Sequence, residues 1–213
     1  MVIKKKPYNG GHAMRKLMLF LLPMIIVLSF LSPDCIAAGF TREAIDTEAR
    51  SLLNRMEITR DVSYKLKNKL NAALKDPALN EAINAKGVGA IFTYACVEGG
   101  IVVKYTEGDG LISFTGGQKA APISLRSLGA GAMIGGSEQW GIGLVIGRAD
   151  ENDFGGYYKG GLRGATALES TTTTMMYLTR IKGKSRQEIY IISTARGLSA
   201  GVGGAIMSII PGW

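Results

Sequence analysis

Gly129-Ala130-Gly131 and Gly141-Ile142-Gly143-Leu144-Val145-Ile146-Gly147 place glycine at alternate positions of apolar runs, and this pattern recurs between Lys86 and Gly147. A period of two is the spacing of a β-strand, because successive side chains of a strand point to opposite faces. A glycine series at this period removes the side chains from one face, so another backbone or a helix can approach it closely. We therefore expect the function to rest on a glycine-rich β framework.

The first 38 residues have the layout of a secretory signal peptide, with basic residues ahead of an apolar run and small residues after it. The uncharged run Leu17–Leu31 is interrupted by Pro23 and has 15 residues, whereas spanning a bilayer takes about 20. Cleavage near Ala38 is therefore favoured over a retained anchor, and we expect a protein exported to the periplasm or cell envelope. A lipid anchor on Cys35 and a start at Met14 instead of Met1 are the alternatives.

Length and charge limit the classes of function. The 213 residues suffice for one well-buried domain and are few for two. Of the 25 basic and 17 acidic residues, residues 1–38 hold five and one, so the remainder has 20 and 16 and a net charge of +4. Nucleic-acid binding typically needs a dense basic patch with aromatic or motif support. No such motif is present, so we expect no nucleic-acid partner.

The residue types left after cleavage exclude several kinds of catalysis. His12 and Cys35 are lost with residues 1–38, which leaves no histidine and the single cysteine Cys96. Ser-His-Asp and Cys-His nucleophiles and the usual zinc sites cannot be built from this set. The sequence also lacks a phosphate-loop pattern and the full layout of a dinucleotide-binding turn. We therefore predict a protein that is not an enzyme, with no catalytic residues, no cofactor and no metal.

Two groups of carboxylates could still act as acid and base in principle. They are Glu107 with Asp109, and Asp150 with Glu151 and Asp153. Glu107-Gly108-Asp109-Gly110 has the chemistry of a hairpin turn, and Ala149–Asp153 is typical of the polar start of a helix. We expect both groups to be structural.

A helical region precedes the glycine-rich part of the chain. Between Thr41 and Lys75 apolar residues recur at intervals of three and four, which predicts an amphipathic helix. Thr59 and Ser63 interrupt the stripe, which indicates either a bend near Arg60-Asp61 or two helices. Asp76-Pro77 ends the helix, and a second short helix is expected over residues 78–84. The polar side carries the cations Arg42, Arg50, Arg55, Arg60, Lys65, Lys67, Lys69 and Lys75.

An amphipathic helix with a basic face can lie on an anionic membrane, but beside a sheet it more often packs its apolar face on that sheet. We favour packing. Acidic residues dilute the first half of the region, whereas Lys65–Lys75 contains no acid, so any membrane contact should concentrate there.

The rest of the chain is expected to be mostly antiparallel β structure with short connections. The expected segments are Gly87–Tyr94, Gly100–Tyr105, Leu111–Thr115, Ile123–Leu128, Ala130–Gly135, Gly141–Gly147, Leu168–Leu178, Glu188–Thr194 and Leu198–Ile206. A short helix is expected at Ala149–Tyr158 and a turn at Lys182–Ser185. The predicted organisation is a signal peptide at 1–38, a helical region at 39–80 and a glycine-rich β domain at 81–213.

Several short segments occur in the order and spacing of a known family. They are Ala85-Lys86-Gly87-Val88, Gly99-Gly100-Ile101-Val102-Val103, Gly108-Asp109-Gly110-Leu111, Ala121-Pro122-Ile123, Gly129-Ala130-Gly131 and Arg196-Gly197-Leu198-Ser199-Ala200-Gly201-Val202. Over Leu66–Ile209 the chain resembles the SYLF domain. It departs from that family at Thr93-Tyr94, where the family often has proline, and at residues 118–120, which lack the usual aromatic and small polar residues.

The resemblance implies a lipid-binding domain without catalytic residues, in which an amphipathic helix and basic residues contact the membrane. The matching residues here are Lys65, Lys67, Lys69, Lys75 and Lys86. We therefore predict an α+β domain in which an N-terminal amphipathic helix packs on a curved, mostly antiparallel glycine-rich sheet or barrel. Its expected partner is an anionic phospholipid surface, with an apolar edge of the helix entering the headgroup region. The alternative is a periplasmic structural or protein-interaction domain whose glycine face docks a partner strand or helix.

Overall fold

The structure is a computed structural model that describes residues 39–99, 103–116, 119–130, 137–152, 154–168, 171–182, 187–196 and 205–212. The described residues belong to one compact unit. The predicted signal peptide at residues 1–38 lies outside the described residues.

Three helices open the described chain: α1 (Arg42–Arg55), α2 (Arg60–Ala73) and α3 (Pro77–Lys86). The hydroxyl of Thr41 caps α1, and one carboxylate oxygen of Asp76 accepts hydrogen bonds from two amides at the start of α3, each 3.0 Å long. The break between α1 and α2 includes Glu57, whose φ of 54° does not fit a right-handed helix. Of the two arrangements that the sequence allowed, the structure has two helices, and Pro77 begins α3 as its first residue.

The described residues also form eight strands, all joined in antiparallel pairs. They are β1 (Val88–Gly99), β2 (Val103–Phe114), β3 (Ala121–Ala130), β4 (Ser137–Ile146), β5 (Gly156–Leu168), β6 (Thr171–Lys182), β7 (Glu188–Arg196) and β8 (Ala205–Pro211). They close into a barrel in the order β1-β2-β3-β8-β5-β6-β7-β4. The three helices pack on its outer wall, mainly against β1, β4 and β7. The predicted α+β class is confirmed. Of the two forms expected, a curved sheet or a barrel, the strands form a closed barrel.

The glycines of β4 make room for aromatic rings inside the barrel. Gly143 pairs with Phe92 of β1, and Gly141 pairs with Tyr94. A Cβ at Gly143 would lie 2.1 Å from the Phe92 ring, and a Cβ at Gly141 would lie 2.4 Å from the Tyr94 ring. We expected a backbone or helix to occupy this face, but the chain fills it with its own side chains. At these two positions the glycine face is therefore not available to a partner strand or helix.

Two hydrophobic cores follow from this arrangement. The first fills the barrel interior and includes Phe92, Tyr94, Ile112, Phe114, Leu125, Phe154, Tyr158, Ile189, Ile191 and Ile209. The second lies between the helices and the outer wall and includes Ile45, Leu52, Leu53, Leu66, Leu70, Leu79, Ile91, Ile142, Leu144 and Ile192. Strands β1, β4 and β7 are thus covered on both faces, which explains their nearly continuous apolar runs.

The predicted hairpin turn at Glu107–Gly110 is wrong. These residues lie in the middle of β2 and pair with both β1 and β3. A Cβ at Gly108 would lie 2.1 Å from the carbonyl oxygen of Ala95, and one at Gly110 would lie 2.2 Å from that of Thr93. The glycines therefore allow the close approach of β2 to β1 that the curved wall requires, instead of forming a turn.

The short helix predicted at Ala149–Tyr158 is also wrong in the part that the structure describes. Residues 148–152 are irregular, and β5 begins at Gly156, whose φ of 147° favours glycine. Phe154 and Tyr158 are both fully buried in the barrel interior. Burial of these two rings stabilises an extended entry to β5 over the helix that the polar residues indicate. Most of the segments expected at Ala130–Gly135 and Leu198–Ile206, and of the turn at Lys182–Ser185, lie outside the described residues.

Candidate membrane-binding surface

The outward face of α2 combines an exposed aromatic ring with cations. Tyr64 is 65% exposed, which is the largest exposure among the big hydrophobic side chains described. Residues three and four apart are neighbours on a helix surface, so Arg60 and Lys67 lie one turn to either side of Tyr64. Arg60 is exposed, and Lys67 is partly exposed. We refer to Arg60, Tyr64, Lys65, Lys67 and Lys75 as the α2 surface.

Lys65 adds an exposed charge on α2, and Lys75 adds another in the turn that follows the helix. The amino group of Lys65 lies 2.8 Å from a carboxylate oxygen of Asp61, four residues earlier on the helix, and both side chains are at least half exposed. Such a surface pair stabilises the helix by only a few tenths of a kcal/mol. Lys65 can therefore exchange Asp61 for another anion at little cost.

Lys69 does not belong to the α2 surface. It is only 8% exposed, and its amino group donates a hydrogen bond of 2.9 Å to the backbone carbonyl of Ser193 in β7. Burial, followed by repulsion from Lys65, lowers the pKa of Lys69. The sequence contained a signal for this placement, because Lys69 follows Leu66 by three residues and precedes Ala73 by four, on the apolar stripe of the helix. Lys69 attaches α2 to the barrel.

Lys86 is also engaged within the molecule. It ends α3, and its amino group lies 2.9 Å from a carboxylate oxygen of Glu188 at the start of β7. The Glu188 side chain is 14% exposed, so the pair is partly shielded from solvent. Of the five predicted lysines, the structure thus leaves Lys65, Lys67 and Lys75 for contacts with an outside anion.

The apolar stripes of the helices face the barrel. Ile45, Leu52 and Leu53 of α1 and Leu66 and Leu70 of α2 are all at most 1% exposed. The favoured arrangement, packing on the sheet, is therefore the observed one. An apolar edge of these helices could enter a headgroup region only if the helices left the barrel. No described helix is long and apolar enough to cross a bilayer.

A polar cluster inside the barrel was missed by the sequence reasoning. Glu98 is 5% exposed and accepts a hydrogen bond of 2.8 Å from the hydroxyl of Ser137. Burial is the main reason why the pKa of Cys96 is raised to about 12, and the nearby carboxylates of Glu98 and Asp109 add to the increase. Burial also raises the pKa of Tyr94, and the nearby Cys96 and Glu98 add to this increase. The thiol is thus neutral at physiological pH and a poor nucleophile. Alternation along β1 places these three side chains on one face, and this was the available signal.

The carboxylate groups that the sequence singled out lie on the outer wall or in a connection. Glu107 is paired with Arg126 at 3.0 Å, and Asp109 accepts a hydrogen bond of 2.7 Å from the Ser124 hydroxyl. Asp150 accepts a hydrogen bond of 2.9 Å from the backbone amide of Asn152, and Asp153 lies outside the described residues. Among the residues described, no three of the acidic, histidine or cysteine side chains converge as metal ligands would.

Comparison with known proteins finds two distant structural similarities. One is to the virulence-associated protein VapD from the intracellular pathogen Rhodococcus equi, which is 12% identical over 57% of this chain and 98% of that chain, with a TM-score of 0.35. The other is to a beta-barrel-like, uncharacterised protein from Brucella abortus, which is 14% identical over 82% of this chain and 97% of that chain, with a TM-score of 0.39. No family model matches the sequence, and no curated protein matches it. Neither similarity assigns a family.

Proposed function

We propose that this protein is an exported, non-catalytic domain that binds anionic lipid membranes through the α2 surface. The observation that carries the proposal is the exposed Tyr64 with cations one turn to either side of it. Asp61 is the single acidic residue between Arg60 and Lys75, and its partner Lys65 is half exposed. The surface is therefore cationic with an aromatic centre, which is a composition that suits the interface between water and headgroups.

The contact is peripheral, because the apolar stripes of α1 and α2 are buried against the barrel. Lysines near an anionic bilayer contribute about 1 kcal/mol each, and the ring of Tyr64 can rest among the headgroups. A role in lipid binding is also what the resemblance of the glycine-rich segments to the SYLF domain implies, although no family model matches the sequence. The apolar run and small residues of segment 1–38 support export.

A non-catalytic role is supported by the groups that are missing or inactive. No histidine follows residue 12, and Cys96 is buried with a raised pKa. The carboxylates Glu107 and Asp109 are engaged by Arg126 and Ser124. General acid–base and nucleophilic chemistry would need a group with an accessible and suitable pKa.

The test uses the protein without its predicted signal peptide, residues 39–213, and replaces the three available lysines. In the triple variant Lys65→Gln, Lys67→Gln and Lys75→Gln, the expected loss is about 3 kcal/mol, at about 1 kcal/mol per cation. Affinity for vesicles that contain phosphatidylglycerol should therefore fall about 150-fold, measured by co-sedimentation at low salt.

A matched control removes the same charge from elsewhere on the surface. Lys119, Arg148 and Lys159 are exposed and lie outside the helices. Their triple substitution by Gln should lower affinity by less than about fivefold, because distant charges contribute through the screened field alone. Equal losses in the two triple variants would show that net charge, and not the α2 surface, governs binding. Binding of the wild type that is equal on neutral and anionic vesicles would refute the proposal.

A further inference from the structure

The barrel wall away from the helices carries exposed apolar side chains. Because the helices cover mainly β1, β4 and β7, strands β3, β8 and β5 lie on the other side of the closed barrel. Five large apolar side chains that are 43–59% exposed lie on this wall and on the adjoining β2: Tyr105, Leu128, Tyr157, Ile206 and Ile210. We call them the open-wall cluster.

The strand register joins three members of the cluster in one row and places Tyr157 and Ile210 in the next two rows. Tyr105 pairs with Leu128, and Leu128 pairs with Ile206, so three apolar residues form one row across β2, β3 and β8. Two residues further along each strand, on the same face, lie Glu107, Arg126 and Ser208, with Tyr157 next to Ser208 on β5. A contiguous exposed apolar row is typical of an interaction site.

A charged pair crosses the middle of this surface. The Nε atom of Arg126 lies 3.0 Å from a carboxylate oxygen of Glu107, and the two side chains are 57% and 48% exposed. Immersion of the wall in hydrocarbon would desolvate this pair and Asp109 beside it, which is costly. Addition of a partner strand is excluded by the barrel itself, because a closed barrel has no free edge. A protein that packs on the wall through side chains fits this surface best, and Tyr and Arg are enriched in such interfaces.

We propose that β2 and β3, with Tyr105 and Leu128 of the open-wall cluster, form the centre of a twofold interface between two copies of this chain. In this arrangement the twofold axis lies between β2 and β3 and runs parallel to both strands, so that the walls of the two copies are face to face. Each β2 position then meets the β3 position of the same row in the other copy. Glu107 faces Arg126 of the partner subunit, and Tyr105 faces Leu128 of the partner subunit. The wall is thus self-complementary in charge and in apolar surface, as a twofold interface requires.

This interface uses a different surface from the α2 surface, since α2 packs on β7, β4 and β6. Helix α1, which contacts β1 and β2, flanks this interface, whereas α2 lies away from it. The inference therefore does not depend on lipid binding, and either can fail without the other.

The first test is the mass of residues 39–213 by sedimentation equilibrium over about 1–200 μM. The wild type is expected to be a dimer that dissociates on dilution. Leu128→Asp should weaken it at least tenfold, because it places a carboxylate in a desolvated contact. Tyr64→Asp on the helical side is the matched control and should dimerise like the wild type. A wild type that stays monomeric throughout, or a Leu128→Asp variant that dimerises equally well, would overturn the proposal.

The second test examines the charge exchange. Glu107→Arg gives a copy with two cations in the middle row, and Arg126→Glu gives a copy with two anions there. Each variant alone should dimerise at least tenfold more weakly than the wild type, because like charges then face each other. An equimolar mixture of the two should form a heterodimer. A mixture that stays monomeric while the wild type dimerises would refute this axis, and circular dichroism of each variant confirms that it is folded.

Discussion

Addition of one methyl group at Gly143 tests the arrangement inside the barrel. In Gly143→Ala the new carbon would lie 2.1 Å from the Phe92 ring, whereas carbon atoms in contact are about 3.5 Å apart. Phe92 is fully buried, and its ring centroid lies 6.3 Å from that of Tyr94 and 6.1 Å from that of Phe154. The ring therefore has no space for the shift of about 1.4 Å that relief would require.

Overpacking of this kind costs about 1–3 kcal/mol, and replacement of glycine by alanine in a strand returns about 0.5–1 kcal/mol. We expect Gly143→Ala to lower the free energy of unfolding by about 1–2 kcal/mol, measured by urea denaturation of residues 39–213. The matched control is Gly161→Ala in β5, where an added Cβ meets no atom within 4 Å. It should be neutral or slightly stabilising.

The same substitution in a variant with a smaller side chain at position 92 separates the ring contact from other effects of the methyl group. In Phe92→Leu the side chain is shorter, so Gly143→Ala should cost about 1 kcal/mol less there than in the wild type. The reasoning would be refuted if Gly143→Ala were as stable as Gly161→Ala, or if its cost were unchanged in the Phe92→Leu background. The double variant also gives a result if Gly143→Ala alone fails to fold.

Three further predictions concern the pH dependence, a helix cap and the inward lysine. The pKa of Cys96 is raised from 9.0 to about 12, so the stabilising contribution of its neutral thiol is complete below pH 9 and is lost as pH rises towards 12. Between these two pH values, the stability advantage of the wild type over Cys96→Ala should shrink by up to about 1.4 kcal/mol per pH unit, measured by urea denaturation. Asp76→Ala should lower the free energy of unfolding by about 1 kcal/mol, because two amides of α3 lose their cap, whereas Asp76→Asn should keep most of it. Lys69→Met should change vesicle affinity less than twofold in co-sedimentation, because the amino group of Lys69 is directed at the carbonyl of Ser193; a loss as large as that of the triple lysine variant would contradict this placement.

The elements that the sequence predicts well are those whose local pattern and tertiary role agree. The apolar spacing over Thr41–Lys75 gives the helices, and Asp76-Pro77 gives the boundary between α2 and α3. Predictions fail where tertiary contacts override local chemistry. The alternating residues Gly108 and Gly110 are turn formers, but here they admit the backbone of β1, and only the partner strand reveals this.

The candidate site shows the same limit. Sequence identifies Lys65, Lys67 and Lys75 as cations of a helical region, and the structure leaves Lys65 and Lys75 exposed and Lys67 partly exposed. Lys69 has the same charge, but its position on the apolar stripe directs it to the barrel. The role of Tyr64 depends on which face of α2 remains outside after packing, and the open-wall cluster depends on strand register. Neither is encoded in a local pattern.

The central claim is that residues 39–213 bind anionic membranes through charge. The most direct measurement is co-sedimentation of the wild type with vesicles of phosphatidylcholine alone and with added phosphatidylglycerol, at low and at moderate salt. The account predicts binding that requires the anionic lipid and weakens as salt rises, because exposed lysines act through a screened field. Absence of binding to either vesicle, or binding that is indifferent to lipid charge and salt, would contradict it.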